Sequence, residues 1–300
     1  MSSLKLWIDA ARPRTLPLAL AGLAMGNLLA FKHETFSWGV FTCSILTATF
    51  LQVLSNYAND YGDFKNGADN DNRIGPKRAV QSGVITERQM FVAIVLFSIL
   101  SLFTGVFLLY LASKVVNILW LLLMLLLGLL SIGAAYKYTA SKNPYGYKGF
   151  GDIAVFIFFG LLAVLGSFFL QTGSIDLLVI LPSIAFGFLS TAVLNLNNMR
   201  DIENDGNSGK ITVAVKLGLL KAKRYHYVII TLAFVCFLLF CLFQFTMWYQ
   251  YLFLAPLILL YLHFNKVKNR STYTEFNPLL KELALSSAFI AICISIAYII

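Results

Sequence analysis

The chain has 300 residues, 59% of them hydrophobic and only 12% charged, with a mean hydropathy of +0.77. A soluble domain carries roughly 25% charged residues, so the composition excludes an ordinary soluble fold and indicates an all-α integral membrane protein. The net charge of +9 calls for no nucleic-acid partner, because its placement along the chain accounts for it.

Ahead of the first apolar run, LKLWIDAARPRTLP reads as an interfacial helix. Its charges extend to Arg14, which argues against a secretory leader. Nine apolar runs then follow, at 16–31, 38–59, 91–112, 116–137, 151–171, 177–198, 228–247, 249–264 and 283–300. The first and eighth are short for a hydrocarbon core of about 30 Å. Strict period-2 alternation is absent, which disfavours a transmembrane β-barrel. With the N-terminus in the cytoplasm, all of the 23 Lys and Arg except Lys32 and Lys114 fall in or beside the cytoplasmic segments. That is a positive-inside pattern, and it puts the C-terminus outside and the basic loops against anionic headgroups. The expectation is one domain over residues 1–300, with nine transmembrane helices around a central apolar cavity. Cys43, Cys236, Cys241 and Cys293 lie inside apolar runs without metal-ligand spacing and read as core residues. His33, His226 and His263 read as interfacial.

Two cytoplasmic segments hold most of the acids. In SNYANDYGDFK, Asn56, Asn59, Asp60 and Asp63 stand at i, i+3, i+4 and i+7, one face if the second span continues as a helix. In NNMRDIENDGNSGK, Asn197, Asp201 and Asp205 stand at i, i+4 and i+8, again one face. Carboxylates crowded on one face repel unless a cation lies between them. Mg²⁺ suits this role, since it binds one or two carboxylates and keeps positions for water and phosphate oxygen. Bases follow each run: Arg73, Lys77 and Arg78 after the first, Lys210 after the second. Acids for a metal beside bases for anionic oxygen describe a site for a metal-bound pyrophosphate. Gly67, Gly75 and Gly206 would let the backbone turn around it. Solvated helix caps are the bland alternative for either cluster alone.

These residues carry a resemblance. The chain resembles the UbiA superfamily of intramembrane prenyltransferases, whose two Asp-rich motifs take the forms NDxxDxxxD and DxxxD. Here the first reads Asn59-Asp60-Tyr61-Gly62-Asp63, and the second Asp201-Ile202-Glu203-Asn204-Asp205. The last Asp of the first pattern falls at Gly67, and the nearest acid is Asp69. Within the superfamily the likeness is to the branch that prenylates 1,4-dihydroxy-2-naphthoate in menaquinone biosynthesis. It rests on A-R-P-R-T-L, on Arg73-Ile74-Gly75-Pro76-Lys77-Arg78-Ala79, on Pro144-Tyr145-Gly146-Tyr147-Lys148-Gly149-Phe150-Gly151, and on G-K-x-T after the second motif, so it spans residues from about 9 to 218.

The resemblance implies a multi-pass enzyme of the cell (inner) membrane with its active site facing the cytoplasm. Its substrates would be a polyprenyl diphosphate and 1,4-dihydroxy-2-naphthoate, with Mg²⁺ as cofactor and the bilayer as surroundings, and no obligate protein partner. Asp60, Asp63, Asp201 and Asp205 would be catalytic. Asn59, Asp63, Asp69, Asn197, Asp201 and Asp205 would hold metal, and Arg73, Lys77, Arg78 and Lys210 would bind diphosphate. The acceptor and the allylic cation would meet Arg14, Asn56, Tyr57, Tyr61, Tyr136, Tyr138, Lys142, Tyr147 and Lys148. Transfer would release diphosphate and CO₂. A prenyltransferase acting on 4-hydroxybenzoate, homogentisate or haem is an alternative. A cation-coupled transporter is another, which the one-sided placement of the acids disfavours.

Overall fold

The computed structural model describes residues 3–70, 78–270 and 272–300. Among them every regular element is helical. An interfacial helix α1 (Ser3–Ala11) and a 3₁₀ turn (Pro13–Thr15) lead into α2 (Leu16–Leu29), α3 (Trp38–Lys65), α4 (Glu87–Ala112) and α5 (Ile118–Lys137). Helix α6 (Gly151–Thr172) follows. Then come α7 (Ile180–Arg200), a short α8 (Ile202–Asn207), α9 (Val213–Gln244), a 3₁₀ stretch (Trp248–Leu257), α10 (Ile258–Lys268) and α11 (Phe276–Ile299).

Seven of the described helical segments are long and apolar enough to cross a membrane, while α2 has 14 residues. The run expected at 249–264 divides between the 3₁₀ stretch and α10. Pro256 lies inside that stretch and lacks the N–H that a continuous α-helix needs.

Lipid tails are as apolar as leucine, so helices in a bilayer associate through close packing and buried hydrogen bonds. Both are visible in this bundle. A Cβ on Gly160 of α6 would come within 2.5 Å of the Gly187 Cα of α7, and one on Gly26 of α2 within 2.0 Å of the Val164 carbonyl. At the end of the bundle away from the acidic segments, Gln171 Nε2 donates to Asn27 Oδ1 (2.7 Å), and Asn27 Nδ2 donates to Ser44 Oγ (3.0 Å). The Ser37 N–H donates to Gln171 Oε1 (2.8 Å). This network ties α2, α3 and α6 where water is scarce. Helix α6 is π-wound over Phe156–Gly166, a winding that is rare and concentrates at functional sites. Phe159 of that stretch faces two cavities.

The four cysteines are free; Cys241 and Cys293 are buried core residues, as expected, while Cys43 and Cys236 are half-buried. His33 is exposed, but His226 and His263 are fully buried and paired, with their Nε2 atoms 3.1 Å apart. The interfacial reading of these two is corrected: they face inward between α9 and α10.

Candidate active site

Helix α3 does continue through the acidic stretch to Lys65, so the four-residue stripe exists as a helical face. It ends in a glycine stop. Asn66 caps it, Gly67 takes φ +76°, and the Ala68 and Gly67 N–H groups donate to the Asp63 and Phe64 carbonyls. This is the Schellman arrangement, which favours glycine at the left-handed position. It explains why an acid is missing at 67 and turns the buried Asp69 back toward the site.

The second motif is built the same way. Helix α7 breaks at Asp201 (φ −103°, ψ 12°), so Asn197, Asp201 and Asp205 do not share one continuous helix. The Asp205 N–H still donates to the Asp201 carbonyl (2.8 Å), and Lys210 and Gly209 close α8 on the Asp205 and Gly206 carbonyls. The left-handed glycine is Gly209, φ +75°, in place of the expected Gly206. Each motif therefore puts one aspartate, Asp63 or Asp205, in the last turn of a glycine-stopped helix. Asn204 Nδ2 joins the two by donating to the Ala68 carbonyl (2.8 Å).

Between them lies Lys210. Its Nζ is 3.8 Å from Asp63 Oδ2 and 3.6 Å from Asp205 Oδ1, and 5.6 Å from the centre of the Tyr147 ring. Tyr147 donates its hydroxyl to Asp63 Oδ1 at 2.9 Å. Arg78 lies 3.5 Å from Asp63 and 3.4 Å from Asp69. Arg200, buried, grips Asp201 through two nitrogens (2.9 and 2.5 Å) and also bonds Asn197 and Asn277, each at 2.9 Å. Burial pushes the Asp205 carboxyl up to about 6 against the opposing pull of Lys210. Burial also disfavours the charge on Lys210, but Asp63, Asp205, Asp201 and Asp69 outweigh it and the amine is held above its ordinary value. Burial and the Asp63 charge raise the Tyr147 phenol, keeping it a neutral donor.

Asp63, Arg78, Arg200 and Lys210 line a polar cavity of about 1150 Å³, together with Asn59, Asp60, Asn197 and Tyr138. An apolar chamber of about 390 Å³ adjoins it, among α3, α4, α5 and α6. Asn59, Tyr138, Gln52, Val155, Phe159 and Leu194 line both, so the chamber meets the charged site at Asn59 and Tyr138. The chamber is an apolar cavity among the helices, as expected of the fold.

Other expected site residues are engaged in fastening or packing, although Asp60 still borders the polar cavity and Asn56 the apolar chamber. The Asn56 amide donates to the Ala11 carbonyl (2.8 Å) and Thr15 Oγ1 (3.3 Å), tying down the N-terminal helix. Tyr57 packs edge-on against Trp7 and Phe97 and bonds the Trp7 carbonyl. The Asp60 carboxylate accepts the Ala79 and Val80 N–H groups at 3.1 and 3.3 Å, so it fastens the segment carrying Arg78. Tyr61 meets Phe91 at a tilt, Tyr136 packs in the α3–α4–α5 core, and Lys142 and Lys148 are exposed. Helical spacing cannot tell which side of a stripe meets a cavity and which meets a neighbouring helix. Arg73 and Lys77 and the side chain of Arg14 lie outside the described residues.

Two residues escaped the sequence reading. Arg200 was read as positive-inside charge, and its adjacency to Asp201 was the available signal. Arg12 lines the polar cavity in a left-handed conformation, φ 53°, which is costly for a non-glycine residue and concentrates at functional sites. The signal was an Arg–Pro pair between two helices.

Among the described residues, no group of three or more His, Cys, Asp or Glu side chains is gathered closely enough to hold a metal ion. Side-chain cations stand between the acids instead. The residues nonetheless fit Mg²⁺: the set is all oxygen, and the buried Asp205 Oδ2 has no hydrogen-bond partner. Phosphate oxygens and water would complete the shell of a hard ion held by few carboxylates.

Fold and site together define a helical membrane protein with a charged, oxygen-rich pocket opening onto an apolar chamber. The UbiA prenyltransferase family model matches residues 16–295, and the chain belongs to that family. It is 42% identical over 299 residues to the 1,4-dihydroxy-2-naphthoate octaprenyltransferase of Haemophilus influenzae, covering 99% of this chain and 96% of the relative. It is 44% identical to the protein of the same description in Escherichia coli, over 86% of this chain and 84% of that one. A UbiA homolog from Archaeoglobus fulgidus, solved bound to GPP and Mg²⁺, has the same fold. Its TM-score is 0.66 at 18% identity, over 97% of this chain and 99% of that one.

Proposed function

We propose that this protein transfers a long-chain prenyl group from an allylic diphosphate to 1,4-dihydroxy-2-naphthoate, releasing diphosphate and CO₂. The observation that carries the reading is the junction of the two cavities: a chamber suited to a prenyl tail meets, at Asn59 and Tyr138, a pocket of paired acids and bases suited to a diphosphate. The naphthoate acceptor follows from the two bacterial relatives, both described as 1,4-dihydroxy-2-naphthoate octaprenyltransferases.

Asp63 and Asp205, with Asp69, Asp201, Asn59 and Asn197 around them, would hold Mg²⁺. When bound, Mg²⁺ neutralises charge on the departing diphosphate. Lys210 and Arg78 take up phosphate oxygens as the allylic C–O bond breaks. Tyr147 holds Asp63 in place by its hydrogen bond. The Tyr138 ring presents a π-face where the allylic cation forms, and burial raises its phenol so that it stays neutral. Arg12, lining the cavity, supplies positive charge for the acceptor carboxylate. The ring carbon forms its bond to the prenyl carbon, and the bond to the carboxylate then breaks, returning its electron pair to the ring. Charge balances without loss of a ring proton, so this reaction needs no general base at that carbon. In the membrane, α2 and the segment 248–268 would complete nine spans. The N-terminus and the site would face the cytoplasm and the C-terminus the far side of the inner membrane, as the Lys and Arg placement supports.

The test is turnover of purified protein in detergent with and without Mg²⁺, for the unaltered protein and for D63A and D205A. Prenylated naphthalenediol formed only with Mg²⁺, and only by the unaltered protein, is the expected outcome. Metal-independent product, or a folded D205A variant with full activity, would refute it.

A further inference from the structure

The glycine-rich stretch after α5 packs against Tyr138, the residue at the cavity junction. Tyr138 caps α5, and its ring meets Tyr145 edge-on with centroids 5.3 Å apart. A Cβ on Gly151 would lie 2.8 Å from the Tyr138 hydroxyl oxygen and 3.3 Å from its Cε2. A Cβ on Gly146 would lie 2.7 Å from the Tyr138 carbonyl oxygen and 2.9 Å from Cε2. From the other side, Gly62 of α3 lets that helix come against the backbone of Thr139 and Ala140, where a Cβ would sit 2.4–2.6 Å from Thr139 and Ala140 backbone atoms. None of these three glycines has positive φ, so conformational freedom does not explain them. Space does.

We propose that Gly146 and Gly151 are positioning residues, forming a flat shelf that holds the Tyr138 ring and hydroxyl at the boundary between the diphosphate pocket and the prenyl chamber. The proposal rests on the prenyl-transfer reading for its catalytic consequence, though the contact itself can be tested without it. The shelf fixes where the aromatic face stands relative to the reacting carbon and keeps the ring between that carbon and water.

The atoms in contact give a specific test. The tightest contact at Gly151 is with the hydroxyl oxygen, which Tyr138→Phe removes. The contacts at Gly146 are with the carbonyl and ring carbons, which Tyr138→Phe leaves in place. Six proteins would be compared: unaltered, Y138F, G151A, G146A, G151A/Y138F and G146A/Y138F. Readouts are kcat, KM for prenyl diphosphate, the fraction of diphosphate hydrolysed to prenol, and melting temperature in detergent. Gly151→Ala alone should lower kcat at least about tenfold, because small misplacements near reacting atoms are costly. It should raise the prenol fraction, leave KM for the diphosphate little changed, and lower the melting temperature. In the Y138F background the same substitution should change kcat by no more than about twofold and leave the melting temperature unmoved. Gly146→Ala should be equally damaging in both backgrounds. Helix propensity cannot produce this pattern, since alanine is favoured over glycine at the start of α6. Equal effects of Gly151→Ala in both backgrounds, on kcat or on melting temperature, would overturn the shelf. An inactive unaltered protein would instead count against the functional reading, and the melting temperatures would still decide the shelf.

Discussion

Lys210→Met removes the cation that stands between the two acidic motifs. Its Nζ is 3.8 Å from Asp63 and 3.6 Å from Asp205, and both acids are buried, at 3% exposure each. Each attraction is worth about 4 kcal/mol at this separation with an effective dielectric constant of about 20, most of it offset by desolvation of the charges. What the substitution exposes is the remainder: breaking a buried pair by removing one partner costs about 3–5 kcal/mol. At roughly 2 °C per kcal/mol for a large chain, the variant should melt about 6–10 °C below the unaltered protein when EDTA is present. Mg²⁺ should recover most of that loss, because it supplies positive charge to the same carboxylates, and should stabilise the unaltered protein less. The assay is tryptophan-fluorescence melting in detergent, with EDTA and with Mg²⁺, alongside turnover. Turnover should remain low in both conditions, because the proposed mechanism also has Lys210 take up a phosphate oxygen. A variant as stable as the unaltered protein in EDTA, or an equal Mg²⁺ effect on both, would refute the reasoning.

Three further predictions follow from single contacts. The Asp205 carboxyl, raised to about 6 by burial, favours its protonated form in the folded state. The stability it contributes is present below about pH 4 and lost as pH rises through about 6, at a cost of about 3 kcal/mol to the metal-free protein. Melting in EDTA should fall over that range. Mg²⁺ affinity, followed by titration, should rise over it, and a flat profile for both would contradict the assignment. Gly67→Asp restores the general pattern of the first motif but puts an acid at φ +76°. It should cost about 1 kcal/mol and lower turnover, and a gain in Mg²⁺ affinity would show that position 67 can serve as a ligand. Gln171→Leu leaves Asn27 Oδ1 without its donor (2.7 Å) and the Ser37 N–H without its acceptor. It should destabilise by about 1–3 kcal/mol, read by denaturant or thermal melting with activity retained at low temperature.

Much of the architecture was legible because a bilayer demands long apolar helices, and those show in sequence whatever packs against them. The charged half of the site was legible for a related reason. Asp63, Asp205, Lys210 and Arg78 are polar residues at the edge of lipid, and the structure gathers them within contact of one another. The Asp-rich stripe was less informative about individual roles. Asn56 and Asp60 spend their polar atoms on backbone groups of the N-terminal helix and of the segment after Ala79. A stripe one helical face wide meets more than one neighbour, and periodicity does not say which. The aromatic residues divide for the same reason: Tyr138 and Tyr147 reach the site, while Tyr57, Tyr61 and Tyr136 pack among helices. Gly67 looked like a lost ligand because a helix stop and a missing acid read alike in one sequence. The carbonyl pattern at the end of α3 separates them. The His226–His263 pair was misplaced because polarity within an apolar run is compatible with either an interface or an inward-facing partner.

The most direct test of the account is the stoichiometry of the reaction itself. Purified protein would receive a prenyl diphosphate, Mg²⁺ and 1,4-dihydroxy-2-naphthoate carrying labelled carbon in its carboxylate, with 4-hydroxybenzoate as the competing acceptor. The account predicts one labelled CO₂ released for each prenylated naphthalene formed and no prenylated benzoate. Prenylation of 4-hydroxybenzoate with the naphthoate untouched, or prenylated naphthoate that keeps its label, would contradict it.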